Sequence, residues 1–303
     1  MTNDYIWRQI EALLANAADK AILMAPFIKK DVFQALLGAI PSTVAIQCVT
    51  RWSVAEIAAG VSDPEIAEIA AADGRASIML CHHLHAKLYV ADDRCLVGSA
   101  NLTGKATGRV QPANMELLLE VPTSHPEVQR LIKAVTASAV AGTIALARQV
   151  REQADLLVSD EESPQILVPG EYERSTRWMP ETRRPARLYG VYRGRHESIN
   201  IDILAGIIRD LANLDIPPGL DENAFSLAVL SRLHEMPEIR QLLTVGRLNM
   251  GELQQELADS GDYTVDQARR SVETLAEWLR YFDQVHVVPL GPWEIRQGRE
   301  IGD

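Results

Sequence analysis

The first half of the chain alternates between segments with apolar side chains at helical spacing and short uninterrupted apolar runs. Residues 4–17 have the helical spacing, and residues 21–27 form the first uninterrupted run. A run of this length is typical of a parallel strand that is buried on both faces. Further along, the same alternation predicts helices at residues 31–39 and 64–72 and strands at residues 43–49 and 75–81. Strands that alternate with helices predict an α/β sandwich with a mixed, mostly parallel sheet.

The stretch from His85 to Asn101 is predicted to form a β-hairpin that ends in a small polar loop. An apolar strand leads into the two-residue turn Asp92-Asp93, and a second apolar strand leads into the loop. His85 and Lys87 share one face of the first strand, because successive side chains point to opposite faces. The return strand brings a serine hydroxyl and an asparagine amide towards them. An imidazole, an ammonium group and several hydrogen-bond donors around one pocket are suited to handling a phosphate ester.

The order and spacing of these residues resemble the HKD signature of the phospholipase D superfamily, which includes small bacterial endonucleases and a metal-independent restriction enzyme. The signature is a His-x-Lys pair, four residues, an aspartate and then a Gly-Ser-x-Asn loop. Downstream, a glutamate before three leucines resembles the residue that orients the histidine in that superfamily. The residues that carry the resemblance are His85, Lys87, Asp92, Gly98, Ser99, Asn101 and Glu116. Five residues instead of six separate the aspartate from the glycine, which we interpret as a turn one residue shorter. The resemblance covers roughly residues 1–150, with Asp92 and Gly98 as structural parts of the motif.

The resemblance implies a metal-independent phosphodiesterase whose site needs two copies of the motif. Of the seven histidines, His85 alone is followed two positions later by lysine, so the second copy is expected from the other subunit of a two-fold homodimer. One His85 would attack phosphorus to give a phosphohistidine, and the other would protonate the leaving oxygen and then activate water. Lys87, Ser99 and Asn101 would hold the non-bridging oxygens, and Glu116 would set the imidazole tautomer. No metal or cofactor is implied, and a catalytically inactive scaffold is the alternative.

The second half of the chain is predicted to be mainly helical. One long helix at residues 123–157 would close a catalytic domain of residues 1–157. Residues 158–197 are expected to form an irregular linker with an arginine/aromatic cluster, and residues 198–303 a helical C-terminal domain. Residues 250–296 of that domain are predicted to form a helix, a turn, a second helix and a hairpin, an order that resembles a winged helix. The exposed face of the second helix suits either DNA or a protein partner. Further helices are predicted at residues 199–214 and 221–243.

The charge distribution weakens an objection to a nucleic-acid partner. The chain of 303 residues has a net charge of −11, which by itself disfavours an anionic polymer. Residues 1–150, however, contain 13 Lys and Arg against 14 Asp and Glu, and seven arginines cluster among tyrosine and tryptophan residues near residues 174–195. Guanidinium groups neutralise phosphates, and aromatic faces stack on bases. The candidate substrate-binding residues are Arg51, which follows a predicted strand as Lys29 and Lys30 do, and Arg183, Arg184 and Arg187. The alternatives for these residues are solvated arginines that pair with nearby carboxylates, or contacts with a partner subunit.

Three functions follow from these observations. The first is an endonuclease that cleaves DNA or RNA, in a restriction or anti-phage system that could include a partner protein. The second is a phospholipase D-like lipid phosphodiesterase, although no convincing membrane-facing segment is present. The third is a non-catalytic DNA-binding or assembly module. The first residues have neither a basic leader nor an apolar core, and no apolar run approaches the roughly 18 residues of a membrane span, so we expect a cytoplasmic protein without membrane contact. Cys48, Cys81 and Cys95 lie in apolar runs and are expected to be buried thiols.

Overall fold

The computed structural model describes residues 4–159, 178–196, 199–282, 287–289 and 294–297. These residues divide into two compact units. The first unit contains residues 4–158 and Pro217–Gly219, and the second contains the other described residues. All residues of the motif from His85 to Glu116 belong to the first unit.

The first unit is built on one seven-stranded sheet. Its strands are β1 Lys20–Met24, β2 Ala45–Thr50, β3 Ala76–Leu80, β4 Lys87–Ala91, β5 Arg94–Gly98, β6 Leu118–Pro122 and β7 Val140–Ala141. Its helices are α1 Tyr5–Leu14, α2 Lys30–Ala39, α3 Val54–Ala58, α4 Ile66–Asp73, α5 Pro126–Ser138 and α6 Ile144–Ser159. The strand order in the sheet is β6-β5-β4-β1-β2-β3-β7. The predicted combination of helices with a mixed sheet is confirmed.

The pairing of the strands corrects one part of that prediction. β1 pairs in parallel with β2, and β2 pairs in parallel with β3. The pairs β1–β4, β4–β5, β5–β6 and β3–β7 are antiparallel. The expectation of a mostly parallel sheet is therefore wrong. The two-residue turn after β4 accounts for the antiparallel β4–β5 pair, because only antiparallel strands can be joined by so short a connection. The directions of the other three antiparallel pairs are not visible in the pattern of the strands.

Two apolar layers cover the faces of this sheet. On one face, α1, α2, α4 and α6 pack against the sheet, and Tyr89 and Leu96 point into this layer. On the other face, α5 packs against Leu88 and Val90. β4 thus sends alternate side chains into the two layers, as the period of two in a strand requires. This burial on both faces fixes the direction in which the residues at the start of β4 can point.

The single helix predicted at residues 123–157 is wrong. α5 ends at Ser138, the chain then adds β7 to the edge of β3, and α6 begins at Ile144. Gly142 permits the close approach, since a Cβ at this position would lie 2.7 Å from Cγ2 of Ile78. Thr143 then starts the next helix by accepting a hydrogen bond at Oγ1 from the backbone N–H of Leu146. A glycine followed by a capping residue was the sequence signal for this break.

The second unit is mainly helical, as predicted. Its helices are α7 Leu188–Tyr192, α8 Ile201–Leu214, α9 Glu222–Glu235, α10 Pro237–Val245, α11 Met250–Asp259 and α12 Val265–Phe282. Its short strands are β8 Arg247–Asn249, β9 Val287–Pro289 and β10 Glu294–Gln297, in the sheet order β8-β10-β9. The succession α10, β8, α11, α12, β9, β10 has the order of a winged helix. The helix predicted at residues 221–243 is two helices, because Pro237 lacks a backbone N–H and begins a new one.

Residues 178–196, which we expected within a linker, pack into the second unit. Trp178 meets Trp278 edge to face, with 5.8 Å between ring centroids. Tyr192 is buried against Phe225 at 4.6 Å between centroids. These aromatic side chains fill the interior of the unit, so the expectation that they stack on bases does not hold for Tyr192.

Candidate active site

His85 and Lys87 lie at the edge of the sheet where the parallel strands end. β4 is antiparallel to β1, with Met24 opposite Leu88, so the start of β4 adjoins the carboxyl ends of β1 and β2. This edge is where open α/β sheets bind ligands. His85 is exposed just before β4, and Lys87 is buried as the first residue of that strand. The Nζ of Lys87 donates a hydrogen bond to the backbone carbonyl of His85 at 2.8 Å.

The charge of the Lys87 ammonium group depends on its burial and on two neighbouring charges. Burial lowers the pKa of Lys87 from its ordinary value, the positive charge of Arg51 lowers it further, and the carboxylate of Glu116 raises it. Burial acts in this direction because it removes the water that solvates the charge. A phosphate oxygen beside Lys87 would replace part of that lost solvation.

Ser99 and Glu116 form a hydrogen-bonded pair in the same unit. The hydroxyl of Ser99 donates to Oε2 of Glu116 at 2.5 Å and accepts from the backbone N–H of Leu117 at 3.1 Å. The amide of Asn114 donates to the other carboxylate oxygen, Oε1, at 3.1 Å. Glu116 precedes β6 by two residues, whereas the sequence predicted a strand beginning there. Both oxygens of the carboxylate are thus oriented by side chains of the motif region.

The Gly-Ser-x-Asn loop is tied to the end of β1. Oδ1 of Asn101 accepts a hydrogen bond from the backbone N–H of Phe27 at 3.4 Å, and the backbone N–H of Leu102 donates to the carbonyl of Phe27 at 3.1 Å. Beneath the loop, the buried hydroxyl of Tyr89 donates to the carbonyl of Ala100 at 2.5 Å. This role of Tyr89 was not predicted, although Tyr89 shares a strand face with His85 and Lys87.

Asp92 joins the hairpin turn to the beginning of β1. Its carboxylate accepts hydrogen bonds of 2.7 to 3.0 Å from three successive backbone N–H groups, those of Ala18, Asp19 and Lys20. These donors lower the pKa of Asp92. Asp92 also has a φ of +53°, in the left-handed region that Asp adopts more readily than most residues. The aspartate of the motif is therefore structural in this chain.

Gly98 allows β6 to approach β5 closely. A Cβ at Gly98 would lie 1.9 Å from the carbonyl oxygen of Leu117, so no larger residue fits without movement of the backbone. In the sheet, Gly98 lies directly opposite Lys87, and Ala91 lies opposite Arg94. The shorter spacing after Asp92 is thus accommodated by a hairpin in which the last residue of β5 faces the first residue of β4.

Arg51 lies near the site, where other protein groups hold its guanidinium group. Nε donates to Glu56 at 3.0 Å, a second and shorter bond joins Nη2 to the same carboxylate, and Nη1 donates to the carbonyl of Leu84 at 3.1 Å. Lys29 is likewise engaged, because its Nζ donates to the carboxylate of Asp63 at 2.6 Å. The expected phosphate contacts at Arg51 and Lys29 would therefore compete with these internal bonds.

The other candidate substrate-binding residues belong to the second unit. Arg183 and Arg184 are exposed and Arg187 is half-buried, around the short 3-10 helix Pro185–Arg187. Arg174 and Arg177 of the same cluster lie outside the described residues. The arginines of α12 have local partners, since Arg269 and Arg280 form i,i+3 ion pairs with carboxylates of their own helix.

No group of three or more His, Cys, Asp or Glu side chains suited to a metal ion occurs among the residues that the structure describes. The three cysteines are free and buried, as predicted. Within the described ranges, no helix combines the length and the apolar character needed to span a membrane.

Comparison with known proteins places this site in a family. Residues 10–137 match the family described as cardiolipin synthase, PLD-like domain. No curated protein matches the chain. Similar solved structures include Nuc from Salmonella typhimurium, a phospholipase D family member that is 18% identical to this chain. The match covers 45% of this chain and 89% of Nuc, with a TM-score of 0.34. NucT from Helicobacter pylori is 11% identical, and the match covers 45% of this chain and 90% of NucT with a TM-score of 0.31. Phosphatidylserine synthase from Haemophilus influenzae is 13% identical, and the match covers 49% of this chain and 39% of the synthase with a TM-score of 0.37.

The matched region contains the whole signature from His85 to Glu116, so the first unit is a phospholipase D-like domain. The match is to residues 10–137, so this part of the chain belongs to the phospholipase D-like family. Members of the phospholipase D superfamily are phosphodiesterases.

Proposed function

We propose that this chain is a metal-independent endonuclease of the cytoplasm that cleaves DNA or RNA through a phosphohistidine on His85. The observation that carries the proposal is the grouping of an exposed histidine, a buried lysine and a Ser99–Glu116 pair in the region that matches the phospholipase D-like family. We further propose that two copies of the chain share the site.

His85 supplies the nucleophile in this mechanism. A nitrogen of its imidazole forms a bond to phosphorus as the bond to the leaving oxygen breaks, and His85 of the second copy gives that oxygen a proton. Water then attacks phosphorus, the phosphorus–nitrogen bond breaks, and the second histidine takes the proton of the water. General acid–base steps of this kind contribute about 10²- to 10⁴-fold to a rate. Glu116 sets the tautomer of His85, and Asn114 continues to donate to Oε1 of its carboxylate when Ser99 turns to the substrate.

Lys87, Ser99 and Asn101 hold the non-bridging oxygens. Because Oδ1 of Asn101 accepts from the N–H of Phe27, the Nδ2 group remains as the donor to substrate. The hydroxyl of Ser99 donates to Glu116, so it must turn from the carboxylate to the phosphate when substrate binds. Lys87 provides the positive charge, which a buried site makes more effective than water would.

An apolar surface beside the site supports the homodimer. Leu88, Val97 and Leu119 are neighbours across β4, β5 and β6, and along this row burial falls from complete at Leu88 to 58% exposed at Leu119. Leu117 is 60% exposed and Met115 fully exposed on either side of Glu116. We call Met115, Leu117 and Leu119 the apolar rim. Apolar side chains can face their own copy across a two-fold axis without charge repulsion, and their burial would stabilise the contact by about 25 cal/mol per Å².

The second unit supports a nucleic-acid substrate. Arg183 and Arg184 present exposed guanidinium groups, which suit backbone phosphates in any sequence. The winged-helix order of the elements from α10 to β10 is a common scaffold for contacts with duplex DNA. The ion pairs within α12 make Arg183, Arg184 and Arg187 the better candidates for these contacts.

A phospholipid phosphodiesterase is the second candidate, and the apolar rim is the observation that favours it. Exposed methionine and leucine side chains next to a phosphate site would also suit the acyl region of a lipid surface. The chemistry at His85 would be the same, so the substrate alone distinguishes the two functions.

Cleavage of plasmid DNA in the presence of EDTA tests the proposal. We expect wild-type protein to cleave single-stranded or duplex DNA, His85→Ala to be inactive, and His125→Asn to retain activity. His125 is the matched control because it lies at the start of α5, where its Nδ1 accepts a helix N–H and asparagine can replace it as a cap. Release of headgroups from vesicles with both DNA forms intact would show the lipid function instead. DNA binding without any hydrolysis would show a non-catalytic module.

A further inference from the structure

Two successive backbone carbonyls at His85 are held by positively charged side chains. Nη1 of Arg51 donates to the carbonyl of Leu84 at 3.1 Å, and Nζ of Lys87 donates to the carbonyl of His85 at 2.8 Å. His85 lies between β3 and β4, before the first residue of β4, so no pair of the sheet ladder orients its backbone. These side-chain contacts therefore hold the backbone from which the imidazole of His85 projects.

Arg51 is itself held in one orientation. Its Nε and Nη2 both donate to the carboxylate of Glu56, and its guanidinium carbon lies 5.3 Å from the ring centre of Phe27. A guanidinium group bound by two parallel hydrogen bonds has little rotational freedom. Glu56 lies on α3, which begins three residues after Arg51. The pair thus fixes Nη1 in the position from which it reaches Leu84.

We propose that Arg51 and Glu56 form a positioning pair that aims the imidazole of His85 at phosphorus by fixing the backbone of the segment before β4. This inference rests on the proposed function of His85 as the nucleophile. It differs from the role expected for Arg51 as a direct phosphate contact, since Nε, Nη1 and Nη2 each already donate to a protein acceptor. A lysine at position 51 would keep the positive charge but would lose the guanidinium N–H groups that bind Glu56 and the carbonyl of Leu84 at the same time.

Arg51 also acts on the charge of Lys87. Its positive charge adds to the effect of burial in lowering the pKa of Lys87, and Glu116 opposes both. Removing the charge of Arg51 should therefore raise the pKa of Lys87. Since Lys87 must be protonated to hold a phosphate oxygen, the alkaline limb of the activity profile should move to higher pH in Arg51→Gln and remain in place in Arg51→Lys.

Arg75 provides a matched control at the opposite end of the sheet. It is also largely buried, binds a carboxylate through two nitrogens, at Asp73, and donates to backbone carbonyls, including that of Pro41 at 2.8 Å. It precedes the first residue of β3, whereas the site lies where the parallel strands end. Arg75→Lys removes the same kind of fork and should affect folding stability alone.

The test compares Arg51→Lys, Arg51→Gln, Glu56→Gln and Arg75→Lys in the full chain by steady-state kinetics and by nitrogen-15 spectra of the histidine rings. Misplacement of a reacting group by about 1 Å can cost on the order of 100-fold in rate. We expect kcat to fall by about 10- to 100-fold in the Arg51 and Glu56 variants, with KM within about threefold of wild type, and only these variants to shift the His85 ring signal. Arg75→Lys should change neither.

Two results would overturn the inference. A rise in KM with unchanged kcat in Arg51→Lys would identify Arg51 as a substrate contact. An unchanged His85 ring signal in folded Arg51→Lys would show that the guanidinium group does not position the histidine. The ring spectra need no turnover, so they decide the inference even if wild-type protein hydrolyses neither DNA nor lipid, a result that would count against the proposed function alone.

Discussion

Replacement of Asp92 is expected to loosen the first unit at the junction between the hairpin turn and β1. The carboxylate accepts from three successive backbone N–H groups at 2.7, 3.0 and 3.0 Å. A net contribution of about 1 kcal/mol for each hydrogen bond gives about 3 kcal/mol for the set. Alanine at a φ of +53° adds a backbone cost of about 1 kcal/mol. We therefore expect Asp92→Ala to lower the opening free energy of the first unit by about 4 kcal/mol.

Two further variants separate these contributions. Asp92→Gly removes the same hydrogen bonds but adopts a positive φ without strain, so it should be more stable than Asp92→Ala by about 1 kcal/mol. Asp92→Asn keeps an acceptor oxygen and tolerates the turn, so it should lose the least. The three N–H donors lower the pKa of Asp92 below its ordinary value of 3.8. Its stabilisation is therefore present above that value and is lost as the pH falls through the lowered pKa, a loss that Asp92→Asn should not show.

Native-state hydrogen exchange on peptides that cover β1 and β4 is the suitable assay. It reports opening of the first unit separately from the second, which a single unfolding transition of a chain with two units does not. An opening free energy for Asp92→Ala within about 0.5 kcal/mol of wild type would refute the account, because surface substitutions outside specific contacts have effects of that size.

Three further predictions concern Gly98, Asp210 and the apolar rim. Gly98→Ala should separate β5 from β6 and abolish activity, because its Cβ would lie 1.9 Å from a backbone oxygen, whereas Gly38→Ala, with no atom within 4 Å, should leave thermal unfolding and activity near wild type. Burial raises the pKa of Asp210 to about 7, so its favourable contribution to the free energy of unfolding is full at low pH and is lost as the pH rises from about 4 through 7. Relative to Asp210→Asn, the free energy of unfolding of wild type, measured in urea, should fall by about 2 kcal/mol between pH 5.5 and pH 8. A constant difference between the two proteins would contradict this. Leu119→Glu should convert a dimer to a monomer in sedimentation velocity, while Leu227→Glu, at a leucine of similar exposure on α9, should not; a dimer in both would place the interface elsewhere.

The sequence predicted the parts of the first unit that depend on local pattern. Uninterrupted apolar runs predicted β1, β2 and β3, because strands buried on both faces show little alternation of apolar and polar residues. The Asp92-Asp93 turn predicted the hairpin of β4 and β5. The sheet was nonetheless expected to be mostly parallel, since the pattern of a strand does not reveal the direction of its neighbour. The break at Gly142 was missed although a glycine followed by a capping threonine marks it in the sequence. The contact that requires the glycine, with Ile78 on a strand more than sixty residues earlier, is not visible there.

The candidate site shows the same limit. The motif identified His85 and Lys87 from spacing alone, because residues two apart on a strand share a face. The bond between Ser99 and Glu116 depends on the register of β5 and β6, which sequence spacing does not give. The fork from Arg51 to Glu56 and Leu84 depends on the path of two loops. Contacts of this kind become visible only when the chain is folded.

A covalent adduct between protein and DNA is the most direct test of the central claim that His85 is the nucleophile. Labelled DNA is incubated with protein in EDTA, the reaction is stopped in alkali, and the adduct is located by mass spectrometry of its peptides. We expect a phosphorus–nitrogen linkage on His85 that is stable in alkali and lost in acid, with no adduct in His85→Ala. DNA cleavage without an adduct, or an adduct on any other residue, would contradict it.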